Sequence, residues 1–312
     1  MNDMKNNILN IQRILSIIGI TVLLFLGYSL ITAPESSPSK QGIIRVVAAE
    51  NFWGSLISQI GGNHVHVVSL VTDPNADPHE YSSNVTTAQA VSSAGYVIEN
   101  GAGYDSWMDK LVSASRNDSR KVFTVADLLG KKEGDNPHFW YNPIYVNQVA
   151  FRMTQDLSGI DPANMSYYQS QYKKLQSELT TYQAQIQQIK QQYSGVKVAA
   201  TEDIFVYLAD AFGLDLVSPP DFTQAVAEGN DPPASSVVTF EQQLKSGSVK
   251  LLVFNKQTET PLTNEMKTIA ANSHIPIVGI TETLQPPNVT FQSWMSNETS
   301  AIANALHQST SR

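Results

Sequence analysis

Apolar positions along the chain fall into three kinds of pattern. The first is one unbroken run, Ile14 to Ala33, "ILSIIGITVLLFLGYSLITA", 20 residues without a charge and preceded by Lys5 and Arg13. At ~1.5 Å per residue such a run crosses a ~30 Å hydrocarbon core, and a basic flank fits export with the amino terminus inside. It reads as an export signal or a membrane anchor, and "ITA" before "PESSPSKQG" offers a small-residue cleavage site. The second pattern is a series of short apolar blocks: Ile43 to Glu50, His64 to Val71, Gly95 to Asn100, Val196 to Thr201, Asp215 to Pro220, Val249 to Asn255 and Ile275 to Thr281. Between them lie stretches of helical periodicity at 52–60, 85–94, 205–212, 237–244 and 262–272. Strands that alternate with helices predict parallel sheets, and open sheets of that kind bind ligands beyond the carboxyl ends of their strands.

The third pattern is a stripe. From Asp161 to Ser194 the chain turns rich in Gln, Lys, Ser and Tyr, with no Gly or Pro after Pro162. Tyr172, Leu175, Leu179, Tyr182, Ile186, Ile189 and Tyr193 recur at steps of three and four, one face of a helix ~48 Å long. A coiled-coil dimer and a single helix packed across two lobes both need that stripe. The division that follows is a signal or anchor segment and tether at 1–41, an N-terminal α/β lobe at 42–160, a linking helix at 161–195 and a C-terminal α/β lobe at 196–312. The fold class is α/β: two parallel-sheet lobes joined by one long rigid helix. A cleft between lobes is the natural ligand site.

Charge and composition narrow the ligand. The formal charge of −8 for the whole chain is net +1 through residue 33 and −9 beyond it, which argues against nucleic acid and suits a cation. No cysteine is present, so thiolate metal sites, disulfides and a lipidated cysteine are all excluded. A metal would need nitrogen and oxygen donors. Four segments at or just past strand ends present them: "DPHEY" with His79, "DNPHFWYNP" with His138, "ATEDIF" with Glu202 and "GITETL" with Glu282. Each alone is a weak signal, since a loop histidine is often a surface residue and an acidic residue often opens a helix. Their common position favours a divalent cation site. Asp73, Asp77 and Glu80 read as turn or outer groups. His64 and His66 lie at the opening of their strand, His274 precedes a strand and His307 falls in the last helix, so these four read as structural or surface residues. No HExxH pair, nucleophile or second metal cluster points to a metallohydrolase, where Glu80 or Glu202 would be the candidate base.

"AAENFWGSLISQIGG", "DPHEY", "ENGAGYDSWMDKL", "NPHFWYNP", "ATEDIFVYLADAFGL" and "IPIVGITETLQPP" together resemble the metal-binding solute-binding proteins of bacterial zinc and manganese ABC transporters, from about Ile43 to Leu306. The resemblance implies two α/β lobes bridged by one long helix, and a single divalent metal held between them. It implies capture of Zn2+ or Mn2+ outside the cytoplasm and delivery to an ABC permease, by a monomer that does no chemistry on its cargo. By motif, His79 and His138 match the two metal histidines. Glu202 stands where many zinc-type members have histidine, and Glu282 where many have aspartate; the acidic, His-rich loop frequent in zinc carriers is missing. A surface adhesin of the same fold is the second role the resemblance offers.

Overall fold

The computed structural model describes residues 42–74, 78–286 and 288–311. The apolar run at 14–33 and Asp77 lie outside them. Among the described residues no helix is long and apolar enough to cross a membrane.

Among the described residues, eight strands form two sheets, every pairing of which is parallel. The first holds β1 (Ile44–Glu50), β2 (Val65–Val71), β3 (Tyr96–Glu99) and β4 (Lys121–Thr124) in the order β2-β1-β3-β4. The second holds β5 (Lys197–Ala200), β6 (Asp215–Leu216), β7 (Leu252–Asn255) and β8 (Ile277–Ile280) in the order β6-β5-β7-β8. In both, the chain leaves the first strand for one side and returns on the other. The crevices this opens, beside β1 and beside β5, are where a doubly wound sheet places its ligand. Central β1 and β7 are nearly continuous apolar runs because helices cover both faces.

Most predicted elements appear within a few residues of their expected bounds, and three depart for local reasons. The block Asp215 to Pro220 is strand only at Asp215–Leu216, since Pro219 and Pro220 have no N–H for a ladder and Pro220 instead opens the helix Pro220–Ala227. His64 closes a 3-10 turn, Gly62–His64, so β2 begins one residue later than expected. The long helix runs Met165–Tyr193, 29 residues, because Asp161 and a 3-10 turn at Pro162–Asn164 separate it from the helix Pro143–Ile160.

Leu175, Leu179, Tyr182, Ile186 and Ile189 of the stripe are buried, and Tyr172 and Tyr193 pack half-buried at its edges. The stripe meets the helices Asn51–Gly61 and Pro143–Ile160 of the first lobe and Val206–Phe212 and Phe291–Thr310 of the second. Each such side chain contributes ~1.5–3 kcal/mol of burial, and the stripe is covered by the chain's own two lobes. Tyr141 adds a polar tie between the lobes. Its hydroxyl lies 2.7 Å from the Thr281 carbonyl and 2.6 Å from Glu298 Oε2.

Candidate metal centre

Each predicted donor sits on a short segment braced by its own hydrogen bonds. His79 lies in the 3-10 turn Pro78–Glu80 after β2; Trp107 Nε1 donates to the Pro78 carbonyl, and the His79 ring packs edge-on against Tyr104, centroids 4.4 Å apart. Tyr104 is delivered by the turn after β3, where Gly101, Ala102 and Gly103 all have positive φ. Asp105 closes that turn by accepting from the N–H groups of Asn100 and Gly101, both at 2.7 Å. A side chain at Gly101 would come within 3 Å of Thr124 and Ala126, so glycine is required both for the backbone and for the space.

His138 is fully buried beside Trp140, and its Nδ1 is fixed. Asn136 Nδ2 donates to the Asp203 carbonyl at 2.8 Å, which orients the amide so that Oδ1 faces His138. That oxygen lies 3.0 Å from the His138 backbone N–H and 2.9 Å from Nδ1. Nδ1 must therefore donate, which leaves the Nε2 lone pair for a ligand. Nε2 is buried with no hydrogen-bond partner among the described residues. Burial alone would lower the basicity of His138, but the Asp203 carboxylate, with Glu282 and Glu202 behind it, outweighs burial and holds the pKa above the ordinary value.

The carboxylates come from the second lobe. Glu282, fully buried after β8, accepts from Asn255 Nδ2 at 2.5 Å on Oε1 and from the Tyr104 hydroxyl at 2.7 Å on Oε2. Its backbone N–H donates to Gln257 Oε1 at 2.6 Å. Glu202, equally buried after β5, accepts from the Thr258 hydroxyl on Oε2, while Oε1 has no hydrogen-bond partner among the described residues. Burial first, and the Glu282 charge second, push Glu202 up to about 8. An enclosed carboxylate with a bare oxygen, a second carboxylate and an imidazole with a bare nitrogen form a donor set that a dication would satisfy.

These side chains gather into two clusters that share His138. His79, His138 and Glu282 form one, and His138, Glu202 and Asp203 the other, with ligand atoms in each within 4.8 Å of one another. His79 Nε2 is 3.8 Å from Glu282 Oε2, so the two lobes meet through this pair. The four remaining histidines stand elsewhere. His64 packs against Tyr167 and Tyr168, with ring centroids 4.6 and 5.8 Å away. His66 is exposed, and His274 takes a positive φ between a helix and β8.

Comparison with known proteins gives the family and the fold. The family model described as ZnuA, the periplasmic component A of the zinc-uptake complex, matches residues 46–305. The chain belongs to the ZnuA family. Among curated relatives, the manganese ABC transporter substrate-binding lipoprotein PsaA of Streptococcus mitis is 23% identical over 283 residues, covering 83% of this chain and 87% of the relative. The manganese-binding lipoprotein MntA of Halalkalibacterium halodurans is 25% identical over 242 residues, covering 75% and 79%. Solved structures share the fold. The Mn-bound periplasmic metal-binding protein from Candidatus Liberibacter asiaticus superposes with a TM-score of 0.70 at 18% identity, over 84% of this chain and 98% of that one. A crystal structure of ZnuA gives 0.67 at 21%, over 84% and 99%.

Within this ZnuA-family frame, sequence reasoning missed the residues that aim the donors. Asn255 ends β7 as a buried amide, a polar residue closing an apolar strand that could have drawn attention in "VKLLVFN". Tyr104, Gln257 and Thr258 reach the donors across long sequence separations that no local spacing announces. Asp203 stood in plain view beside Glu202.

Proposed function

We propose that His79, His138, Glu202 and Glu282 together hold one divalent transition metal, Zn2+ or Mn2+, between the lobes, and that the chain delivers it to an ABC permease in the membrane. The observation that carries this reading is the pair of bare buried atoms, His138 Nε2 and Glu202 Oε1, in clusters of interlobe donors. Membership of the ZnuA family supports the transport role, and the names of the PsaA and MntA relatives support a manganese-class cargo.

Two imidazoles and two carboxylates suit either ion; Zn2+ binds the more tightly by the Irving–Williams order. Four protein donors fill a tetrahedral sphere, leaving no open position at which to activate water, so the chain acts as a carrier rather than an enzyme. The metal is cargo. The family's periplasmic and lipoprotein relatives support an extracytoplasmic location, and without cysteine the anchor here would be the apolar run 14–33 or none once it is cleaved. We take the working form as a monomer of two lobes, 42–160 and 196–312, around the linking helix, with no affinity for nucleic acid.

Isothermal titration of the purified chain with Zn2+ and Mn2+ tests the reading. One saturable site per chain is expected, lost on combined replacement of His79 and His138. Absence of saturable binding by both ions would remove the proposal.

A further inference from the structure

A cavity of about 440 Å3 opens between the lobes, and its wall includes His79, His138 and Asp203 but neither Glu202 nor Glu282. The two glutamates are fully buried behind it. An ion arriving from solvent therefore meets Asp203 before it meets either of them. The Asp203 side chain keeps 17% of its surface exposed, yet its Oδ1 is buried with no hydrogen-bond partner among the described residues. That oxygen lies 3.3 Å from His138 Nδ1, but the Nδ1 proton is directed to Asn136 Oδ1 at 2.9 Å, so Asp203 is not needed to set the tautomer. Asp203 has a local structural role as the first residue of the 3-10 turn Asp203–Phe205. The cap of that turn is Glu202, so an asparagine at 203 leaves the cap in place. What remains for the carboxylate is its charge and its place in the cluster with His138 and Glu202.

We propose that Asp203 is a transient ligand: an arriving divalent ion is first held by Asp203 and Glu202 beside His138, then exchanges Asp203 for His79 and Glu282. This rests on the metal-binding reading above. Glu202 and the His138 ring are present in both positions, so the ion turns about Glu202 and moves to the Nε2 side of the ring instead of being released to water. Glu133, Asp135 and Glu228 line the same cavity and add to its negative field.

Stopped-flow binding of Mn2+ and Co2+, followed by tryptophan fluorescence, separates this role from a structural one, since the Trp140 ring lies 5.2 Å from His138. Asp203→Asn is expected to slow association about tenfold, the low end of what a focused charge supplies. Dissociation should stay within about twofold, and the visible spectrum of the Co2+ complex, which reports the final ligands, should be unchanged. Asp203→Glu should restore association. Wild-type association speed in Asp203→Asn would overturn the proposal, and so would slow association persisting in Asp203→Glu. A changed Co2+ spectrum, or dissociation accelerated as much as association is slowed, would make Asp203 a permanent ligand and overturn it as well. If the wild-type chain binds neither ion, the metal reading itself fails, a result distinct from all of these.

Discussion

In the metal site proposed above, the two lobes bring opposite halves and prepare them differently. The N-terminal lobe would supply imidazoles whose geometry is settled beforehand: His138 is pinned through Nδ1 by Asn136, and His79 packs edge-on against Tyr104. The C-terminal lobe supplies carboxylates whose electrostatics are unsettled, with Glu202 and Glu282 buried together and Glu202 pushed up to about 8. Among the described residues, the ion-pair partners of Glu282 and Asp203 are His79 and His138. The nitrogen half is thus prearranged, while the oxygen half is complete only when a cation arrives.

Removing a donor should break that arrangement most severely. His138→Ala and Glu282→Ala should each weaken Zn2+ binding by more than the ~10–100-fold typical for losing an outer partner, as read by competition against a chelator. Asn136→Ala, which frees the His138 ring without deleting it, should fall within that ~10–100-fold range. An effect below twofold would show that the pinning of Nδ1 is incidental.

The contrast between lobes also predicts an opposition of signs. Glu202→Gln should weaken metal binding yet raise the melting temperature of the metal-free chain above pH 8, because it deletes the like charge facing Glu282. A fall in both would identify Glu202 as a structural residue. In the metal-free fold Asp105 is raised to about 6, Glu99 and Glu298 to about 7 and Glu202 to about 8, each chiefly by burial. Their ordinary values are 3.8 for Asp and 4.5 for Glu, so between those values and about 8 the fold holds more protons than the unfolded chain. The stability these groups contribute is complete at low pH and is lost as pH rises through the folded values. Calorimetry of the metal-free chain should show melting temperature declining from about pH 5 to 8. With metal bound, Glu202 is deprotonated and its share of that decline should vanish, and binding near neutrality should release protons to the buffer. The smallest expected effect is at His64 and His66, whose replacement by alanine should leave affinity within about twofold, because neither reaches the cleft.

Much of this was legible in the chain because it rests on local pattern. The alternation of apolar blocks and helical stretches gave both lobes, and the stripe from Tyr172 to Tyr193 gave the linking helix. Placement of His79, His138, Glu202 and Glu282 past strand ends gave the candidate donors. The unread parts depend on contacts between distant segments. β4, "KVFT", is too short and too polar at its first residue to stand out. The pairing of Tyr104 with Glu282 spans 178 positions and that of Asn255 with Glu282 joins two strand ends, so neither leaves a periodic mark. The grouping of Glu202 with Asp203 around His138, apart from the His79 and Glu282 cluster, is a three-dimensional fact that the motif "ATEDIF" could not convey.

The central claim is that donors from both lobes close on one ion. Crystals of the chain grown with Mn2+ or Zn2+ and measured at the metal's absorption edge test it directly. The account predicts a single anomalous peak within about 2.0–2.3 Å of His79, His138, Glu202 and Glu282. A peak bound by residues of one lobe alone, or lying outside the cleft, would contradict it.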